Sequence, residues 1–378
     1  MNRFFSWSRW YGIVGKEFIQ LRRDRLTFAM IVGIPIVQVL LFGFAINSDP
    51  KHLAAAVRDA DRSEFSRSIL AALSKSEYFD FVREAHDDAE IDRMLATGAV
   101  QFVVTIPEGF ARALLRGERP ALLIEADATD PAATGNAIAA ISPLAQNALA
   151  RELVGPLASL AANPGAFEVR VHPRYNPEAI TQYNIVPGLM GVILTMTMVL
   201  MTGLAITRET ERGTMENLIA TPANALEVMT GKIVPYVLIG LIQVSIILLI
   251  SRLVFHVPII GRLDVLFVAV LLFIAANLTL GLTFSSLARN QLQAMQMTFF
   301  FFLPSILLSG FMFPFRGMPG WAQAIGEVLP ITHFLRIVRG VLLKGNGFAE
   351  IASELWPIAL FMAVVITAGI KVFRRTLD

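Results

Sequence analysis

Few side chains in this sequence have a type and spacing that could do chemistry, and the densest group is acidic. Five carboxylates lie within nine residues: Glu84, Asp87, Asp88, Glu90 and Asp92. Such a cluster could suggest a calcium site, but it lacks the D-x-D-x-D-G spacing that places oxygen ligands around the ion. Acidic side chains are also favoured at the positive end of a helix dipole. We therefore interpret the group as the solvated start of a helix.

Other catalytic and metal-binding patterns are missing from the sequence. The chain has no cysteine, which removes disulfides and thiolate metal sites. His52, His86 and His172 are scattered and do not have the spacing of metal ligands. The chain has no G-x-S-x-G nucleophile motif and no G-x-x-x-x-G-K-[ST] nucleotide loop. We predict no catalytic residue, no metal site and no cofactor bound by this chain.

The composition instead indicates a protein that faces lipid. Of the 378 residues, 55% are hydrophobic and only 16% are charged, whereas about a quarter of an average soluble domain is charged. A helix needs about 20 mainly apolar residues to cross a bilayer. Windows of this kind, free of charge at their centres, predict six spans, at residues 26–46, 185–207, 233–251, 265–287, 294–313 and 355–372.

Positive charge at the ends of the spans predicts the orientation of the chain. Segment 1–25 carries six basic residues against Glu17 and Asp24, and Arg374 and Arg375 follow the last span. Both termini are therefore predicted to be cytoplasmic. Within 1–25, aromatic and basic residues separate onto different sides of a helix, which favours a cytoplasmic interfacial helix over a plain basic flank. The basic loop 314–354, predicted outside, runs against this rule.

The segment between the first two spans differs from the rest of the chain in charge and pattern. Residues 47–182 hold 19 of the 30 acidic but 13 of the 32 basic residues, which gives −6 against +8 for the remainder. Apolar runs alternate with helical ones, which predicts an extracytoplasmic α/β domain. The predicted strands are 53–61, 79–84, 99–106, 121–127 and 166–172, and the predicted helices are 64–75, 87–97, 110–116 and 131–161.

The interiors of the six spans carry no Asp, Glu, Lys, Arg or His, although carriers driven by ion gradients need such groups at membrane depth. Neutral polar side chains are present and are candidates for a translocation path: Gln38, Thr195, Thr202 and Gln296. Their commoner role is hydrogen bonding between packed helices, and both interpretations stay open. With neither ion-coupling groups nor a nucleotide loop, the chain must receive energy from a partner.

The segment 208–232, between the second and third spans, is the candidate contact for that partner. It is rich in charge directly after the span, where Arg208, Glu209 and Glu211 lie. Gly213 can end the helix of the span, and Thr214 can cap a new short helix. A short charged helix here could bind a cytoplasmic subunit. An ordinary solvated connection with surface ion pairs is about as compatible with the local features.

The order of motifs around this segment resembles the membrane subunits of ABC-2 type exporters. The family's Glu-Arg-Gly-Thr, apolar residue, Thr-Pro and Gly-Lys correspond here to Glu211, Arg212, Gly213, Thr214, Leu218, Thr221, Pro222, Gly231 and Lys232. The resemblance includes residues 106–117 of the external domain, and it continues at Gln291, Ala294, residues 303–321, Pro330, Thr332, Arg336, Arg339 and Gly340. The match covers most of the chain. It is similar in particular to the long-loop branch, which includes bacterial multidrug efflux permeases.

The resemblance implies roles for particular segments. Coupling to the ATPase falls on Arg208, Glu209, Glu211, Arg212, Gly213, Thr214, Glu216, Thr221 and Pro222. Segment 314–345 corresponds to short re-entrant helices in the outer leaflet. Candidate residues for this outer gate are Pro304, Ser309, Gly310, Pro314, Pro319 and Pro330. The expected fold is a membrane all-α six-span bundle, with spans two to six in 183–378 and the α/β domain inserted between spans one and two.

The same resemblance implies partners and a location. The expected partners are cytoplasmic ABC ATPase subunits that bind ATP and Mg²⁺, a second permease subunit and membrane lipid, but no nucleic acid. A periplasmic adaptor is a further candidate partner. The expected location is the bacterial inner membrane. The uncharged, Thr-, Met- and Phe-containing spans favour a hydrophobic or amphiphilic, drug-like substrate. The alternatives are a lipid or polysaccharide exporter, and a membrane scaffold or secretion accessory that has no ATPase.

Overall fold

The computed structural model describes residues 50–161, 166–211 and 225–375, which form an α/β domain followed by a bundle of long helices. The predicted interfacial helix 1–25 and first span 26–46 lie outside the described residues. In the α/β domain the strands are β1 (Leu53–Asp59), β2 (Phe79–Glu84), β3 (Phe102–Ile106), β4 (Ala121–Asp127) and β5 (Glu168–Arg174), and the helices are α1 (Glu64–Lys75), α2 (Asp88–Thr97), α3 (Phe110–Leu115) and α4 (Pro131–Ala148).

The five strands form one mixed sheet in the order β2-β1-β3-β4-β5. Strand β1 runs parallel to both β2 and β3, β4 is antiparallel to β3, and β5 is parallel to β4. All five strands predicted from the sequence are therefore present. The continuous apolar runs of β1, β3 and β4 are explained because this sheet is covered by helices on both faces.

Successive side chains of β3 point to opposite faces of the sheet. Phe102 and Val104 join a core with α1, α3 and α4, whereas Val103 packs with Ile91 and Leu95 of α2 on the other face. Helix α2 begins at the acidic cluster, as expected. The Asp87 carboxylate accepts the Glu90 backbone N–H, which caps the helix. The acidic cluster is thus part of a helix start, and Asp88 and Asp92 pair with arginines of neighbouring strands.

The prediction of one helix over 131–161 was wrong in its second half. Helix α4 ends at Ala148, because the next residue, Leu149, departs from helical geometry (φ −97°, ψ 10°). Gly155 then adopts a positive φ of 62°, and a 3₁₀ helix, Gly155–Ala161, follows. The Ala-rich composition favoured a continuous helix, but the turn between the two segments lets Leu149 and Leu153 pack into the domain core.

Beyond the α/β domain the structure consists of helices. The bounds are α5 (Thr181–Glu211), α6 (Ala225–Leu253), α7 (Leu263–Leu287), α8 (Gln291–Leu308), α9 (Gly320–Gly326), α10 (Pro330–Arg339) and α11 (Phe348–Arg375). Within the described residues, α5, α6, α7, α8 and α11 are long and apolar enough to cross a membrane. They correspond to predicted spans two to six.

The five long helices differ in how much of their surface is buried. In α5 and α7 the most apolar stretch is 61% buried, so these two helices form the centre of the bundle. In α6 and α11 the corresponding value is 17%, which leaves most of their side chains facing outward. A helix whose apolar side chains face outward needs an apolar surrounding. The bundle therefore has a protein core around α5 and α7 and a lipid-facing periphery.

Several predicted span boundaries differ from the structure, and two of them have a clear local cause. The fifth span was expected to reach 313, but α8 ends at Leu308, because Ser309 forms the C-cap and Gly310 has a positive φ of 81°. The sixth was expected to begin at 355, but α11 begins at Phe348. Its first turn carries Glu350, whose carboxylate accepts the Gly347 N–H. Hydropathy missed this turn because it is polar.

Helices α5 and α7 approach each other closely at Gly281. A Cβ atom at this position would lie 2.6 Å from the Val199 backbone oxygen and would overlap the Thr202 hydroxyl. A backbone oxygen within a packed helix cannot move aside without shifting the helix. We therefore infer that the absence of a side chain at Gly281 sets the distance between the two central helices.

We predict that Gly281→Ala destabilises the bundle by about 1–3 kcal/mol, the usual cost of overpacking. The matched control is Gly203→Ala on the facing helix, where the added Cβ would have its nearest neighbours at 3.7 Å, an ordinary contact. The measurement is the thermal unfolding midpoint of the purified chain in detergent. Equal midpoints for the two variants would contradict the assignment of Gly281 as the spacing residue.

Candidate coupling and transport sites

The predicted coupling segment, 208–232, is described at its two ends, 208–211 and 225–232. Arg208, Glu209 and Glu211 lie in the last turn of α5. Six further candidates lie outside the described residues: Arg212, Gly213, Thr214, Glu216, Thr221 and Pro222. The polypeptide re-enters the described structure at α6, which begins at Ala225, earlier than the predicted start of the third span.

The end of α5 is bound directly to the beginning of α8. The Glu211 carboxylate accepts the backbone N–H of Gln291 at 2.7 Å and also accepts a hydrogen bond from the Gln291 side chain. Gln291 is the first residue of α8, where backbone N–H groups have no partner within the helix. A carboxylate at this position also meets the positive end of the helix dipole. These hydrogen bonds lower the pKa of Glu211, so it stays ionised at neutral pH.

The contact links the second span to the fifth at the end of the bundle where the coupling segment begins. Asn290 caps α8 through the Gln293 N–H, and the Gln293 side chain accepts the Arg289 N–H, so the start of α8 is well fixed. Glu211 thus binds a helix start that is itself held by capping hydrogen bonds. In the sequence, Gln291 stands out only as part of the family resemblance.

Three of the four candidate path residues are described, and they lie inside the bundle. Thr195 and Thr202 of α5 are each 1% exposed. The Thr202 hydroxyl donates to the Met198 carbonyl within its own helix. The buried oxygens of Thr195 and Gln296 have no hydrogen-bond partner within the described part of the chain. Gln38, the fourth candidate, lies outside the described residues, and the assignment of a path remains a prediction.

The candidate gate residues occupy helix ends and turns. Pro304 lies within α8, Ser309 is its C-cap and Gly310 follows with positive φ. Pro314 and Pro319 precede a short 3₁₀ helix and α9, and Pro330 is the first residue of α10. The pair of short helices expected after the fifth span is thus present as α9 and α10. Their position in the outer leaflet remains a prediction.

Helix α10 is packed deeply against the long helices. All but two of its ten residues are buried, and Phe334 stacks on Phe273 of α7 with ring centroids 4.0 Å apart. The exceptions are Arg336 and Arg339, whose side chains reach polar partners at the edge of the bundle. A turn of π-helix, Gly340–Lys344, continues from α10 toward the α/β domain.

The α/β domain is attached to the bundle by side chains that cap the end of α2. The last carbonyls of a helix have no partner within it. The Lys344 ammonium donates to the Leu95 carbonyl at 2.9 Å, and the Asn346 amide donates to the Ala96 carbonyl at 3.0 Å. Lys344 also forms an ion pair of 2.5 Å with Asp127 at the end of β4. Both side chains of this pair are only 8% exposed.

A second polar contact joins the same two parts of the molecule. The Arg339 guanidinium donates to the Asn184 side chain at 2.9 Å, and the Asn184 amide donates to the Thr129 carbonyl at 3.1 Å. Arg339 also donates to the Gly310 carbonyl, which follows α8. Burial raises the pKa of Asp130, beside Thr129, and the Arg339 charge partly offsets this rise. One arginine thus links α10, α5, the end of α8 and the α/β domain.

A cavity of about 210 Å³ lies in this junction between the α/β domain and the bundle. Its charged lining is evenly divided between basic side chains (Arg316, Arg336, Arg339 and Lys344) and acidic side chains (Asp127, Asp130, Glu350 and Glu354). Most of these charges already have partners within the protein. The junction is therefore primarily a docking surface between two parts of the same chain.

Sequence reasoning missed this junction. The signal was the basic loop 314–354, whose charge disagreed with its predicted outside position. In the structure Arg336 pairs with Glu327, Lys344 pairs with Asp127, and Arg339 binds Asn184. The partners of Lys344 and Arg339 lie far away in the sequence, so no local pattern indicated these two contacts.

Five long apolar helices and an α/β domain that precedes them define a multi-span membrane protein of the transport class. A polar contact joins two of its spans where the predicted coupling segment begins. The family model described as ABC-2 family transporter protein matches residues 25–371. The chain belongs to this family, and it is an ABC transporter permease subunit.

Relatives match the chain over nearly its whole length. The probable multidrug ABC transporter permease YbhS of Escherichia coli K12 is 31% identical over 381 residues, which cover 99% of each chain. The probable multidrug ABC transporter permease YbhR of the same organism is 28% identical over 97% of this chain and 98% of its own. ABC transporter G family member 20 of Dictyostelium discoideum is 25% identical over 91% of this chain and 47% of that protein.

A solved structure also matches part of the chain. It is the crystal structure of a domain of a putative ABC type-2 transporter from Thermotoga maritima, which is 22% identical to this chain. The match covers 32% of this chain and 84% of that one, with a TM-score of 0.27.

Proposed function

We propose that this chain forms the membrane path of an ABC exporter that moves a hydrophobic or amphiphilic, drug-like substrate out of the cytoplasm or the inner leaflet. The relatives YbhS and YbhR, named as probable multidrug permeases, support the substrate class. The uncharged span interiors support it as well, because a small ion would need charged or strongly polar ligands there. The protein acts in the bacterial inner membrane with both termini in the cytoplasm.

The energy for transport comes from separate ATPase subunits, which bind ATP and Mg²⁺ and contact segment 208–232. The observation that carries this proposal is the contact of Glu211 with the first residue of α8. Through it, a movement of the coupling segment reaches the second and fifth spans together. A second permease subunit completes the path, and a periplasmic adaptor is a further candidate partner.

The test is to purify the chain together with a co-expressed ABC ATPase subunit and to reconstitute both in liposomes. We expect vanadate-sensitive ATP hydrolysis that candidate amphiphilic drugs stimulate, together with ATP-dependent movement of those drugs. The control omits the permease. If no ATPase binds the chain and no compound moves, the protein is a membrane scaffold; if only lipid moves, the substrate class is wrong.

A further inference from the structure

A buried histidine lies where α10 meets α11. His333 is 5% exposed, and both of its ring nitrogens have close polar neighbours. Nδ1 lies 2.5 Å from Oε2 of Glu354, in the second turn of α11, and Nε2 lies 2.8 Å from the backbone oxygen of Glu327, just before α10. The imidazole therefore bridges α11 and the turn between α9 and α10.

Counting donors and acceptors fixes the number of protons in this site. A carbonyl oxygen can only accept, so Nε2 of His333 must carry a hydrogen. In a neutral imidazole Nδ1 is then an acceptor, and it cannot make a hydrogen bond to an ionised carboxylate, which also only accepts. The Glu354 oxygen at 2.5 Å thus requires a proton between the two atoms. The pair holds one proton more than a neutral histidine and a carboxylate.

The charged groups around the pair support this state. Arg336, one turn further along α10, donates to Glu354 at 3.4 Å and makes two hydrogen bonds to Glu327. The Glu327 carboxylate lies 3.7 Å from Nε2. Arg316 is close enough to interact electrostatically with Arg336 and with both glutamates. Among the described residues of α5, α7 and α8, none places a charged side chain within ion-pair distance of the imidazole.

We propose that His333 and Glu354 form a proton-binding site whose occupancy holds α10 against α11. When the proton leaves, two acceptors face each other at hydrogen-bond distance in a buried place, which is unfavourable. The contact is then expected to open. Because α10 continues into Gly340–Lys344, this opening would also loosen the attachment of the α/β domain at Lys344. The inference of a proton site depends only on the geometry at His333. Which side of the membrane supplies the proton depends on the orientation of the chain, which is part of the proposed function.

The decisive variant is Glu354→Gln. A glutamine amide has nearly the shape of the carboxylate, but it can donate to the unprotonated Nδ1 of His333. The contact then persists without the extra proton. The matched control is Glu350→Gln, one turn earlier on the same helix, where the amide oxygen can still accept the Gly347 N–H.

The measurement is hydrogen exchange of residues 330–344 in the purified full chain in detergent, corrected for intrinsic exchange, from about pH 5 to about pH 9. The wild type is expected to show an opening constant that rises as the proton is lost, by up to about tenfold per pH unit. Glu350→Gln should show the same rise, and Glu354→Gln should show none.

A flat profile in the wild type, or the same rise in Glu354→Gln as in the wild type, would overturn the proposal. If Glu354→Gln does not fold, His333→Gln serves in its place, since its amide does not titrate in this range, and a persisting rise would again overturn it. The experiment needs neither ATPase nor substrate. A negative result therefore leaves the exporter proposal unaffected, and a failure of transport leaves the proton site unaffected.

Discussion

Replacing Lys344 by methionine is expected to detach the α/β domain from the bundle and to lower stability more than any other single change proposed here. Methionine keeps much of the length of the side chain but removes the ammonium that pairs with Asp127 and caps the Leu95 carbonyl. Asp127 then remains buried without its ammonium partner. Breaking a buried ion pair from one side costs about 3–5 kcal/mol. The measurement is the thermal unfolding midpoint of the purified chain.

Two further variants make this prediction specific. The double variant Lys344→Met with Asp127→Asn is expected to regain much of the lost stability, because it leaves no buried charge and the asparagine oxygen can still accept from Thr129. Lys75→Met, at an exposed lysine of α1, is the control and should change stability by less than about 0.5 kcal/mol. A midpoint for Lys344→Met equal to that of the control would show that the pair does not hold the domain.

Reversing the charge of Glu211 is expected to uncouple the permease from its ATPase. In Glu211→Lys, an ammonium would replace the carboxylate that accepts two hydrogen bonds from Gln291, and it would face the positive end of the α8 dipole. The end of α5 could then no longer hold the start of α8. We expect drug-stimulated ATP hydrolysis and transport to fall by roughly tenfold or more. A typical coupling free energy between two sites corresponds to about a 5- to 150-fold effect.

The graded control at this position is Glu211→Gln. The amide oxygen can still accept the Gln291 N–H, so transport should be reduced less than in Glu211→Lys. Adding Glu216→Lys to Glu211→Lys should abolish the remaining transport. Membrane insertion and the thermal midpoint should stay near wild type throughout, because Glu211 is exposed and outside the bundle core. Full transport by Glu211→Lys would rule out the coupling role.

The contacts of Glu211 and of Lys344 show how much of the geometry of the candidate sites could be predicted. Local pattern predicts a coupling segment directly after the second span, and the family resemblance implies the role of Glu211 in it; both stay predictions. The partner of Glu211 is Gln291, 80 residues later in the chain. For Lys344 the separation from Asp127 is 217 residues. Contacts of this kind depend on how helices pack, and a single sequence carries no periodic signal for them.

The basic loop 314–354 illustrates the same limit. The positive-inside rule counts each basic residue as a free charge near the membrane. Arg336 and Lys344 form ion pairs within the protein, and Arg339 binds neutral acceptors. The excess of basic residues in this loop therefore has two causes: polar contacts within the protein, and any preference of the loop for one side of the membrane. Composition alone could not separate the two causes.

The positions of the spans and strands could be predicted from the order of residues alone. Hydropathy placed predicted spans two to six, and the alternation of apolar and helical runs placed all five strands, because both signals depend only on neighbouring residues and solvent. The structure decided where helices end and what they touch, as at Ala148, Leu308 and Phe348. It also brought His333 between Glu354 and Glu327. These features come from packing, in which a residue's partner is chosen by the fold and not by its position in the chain.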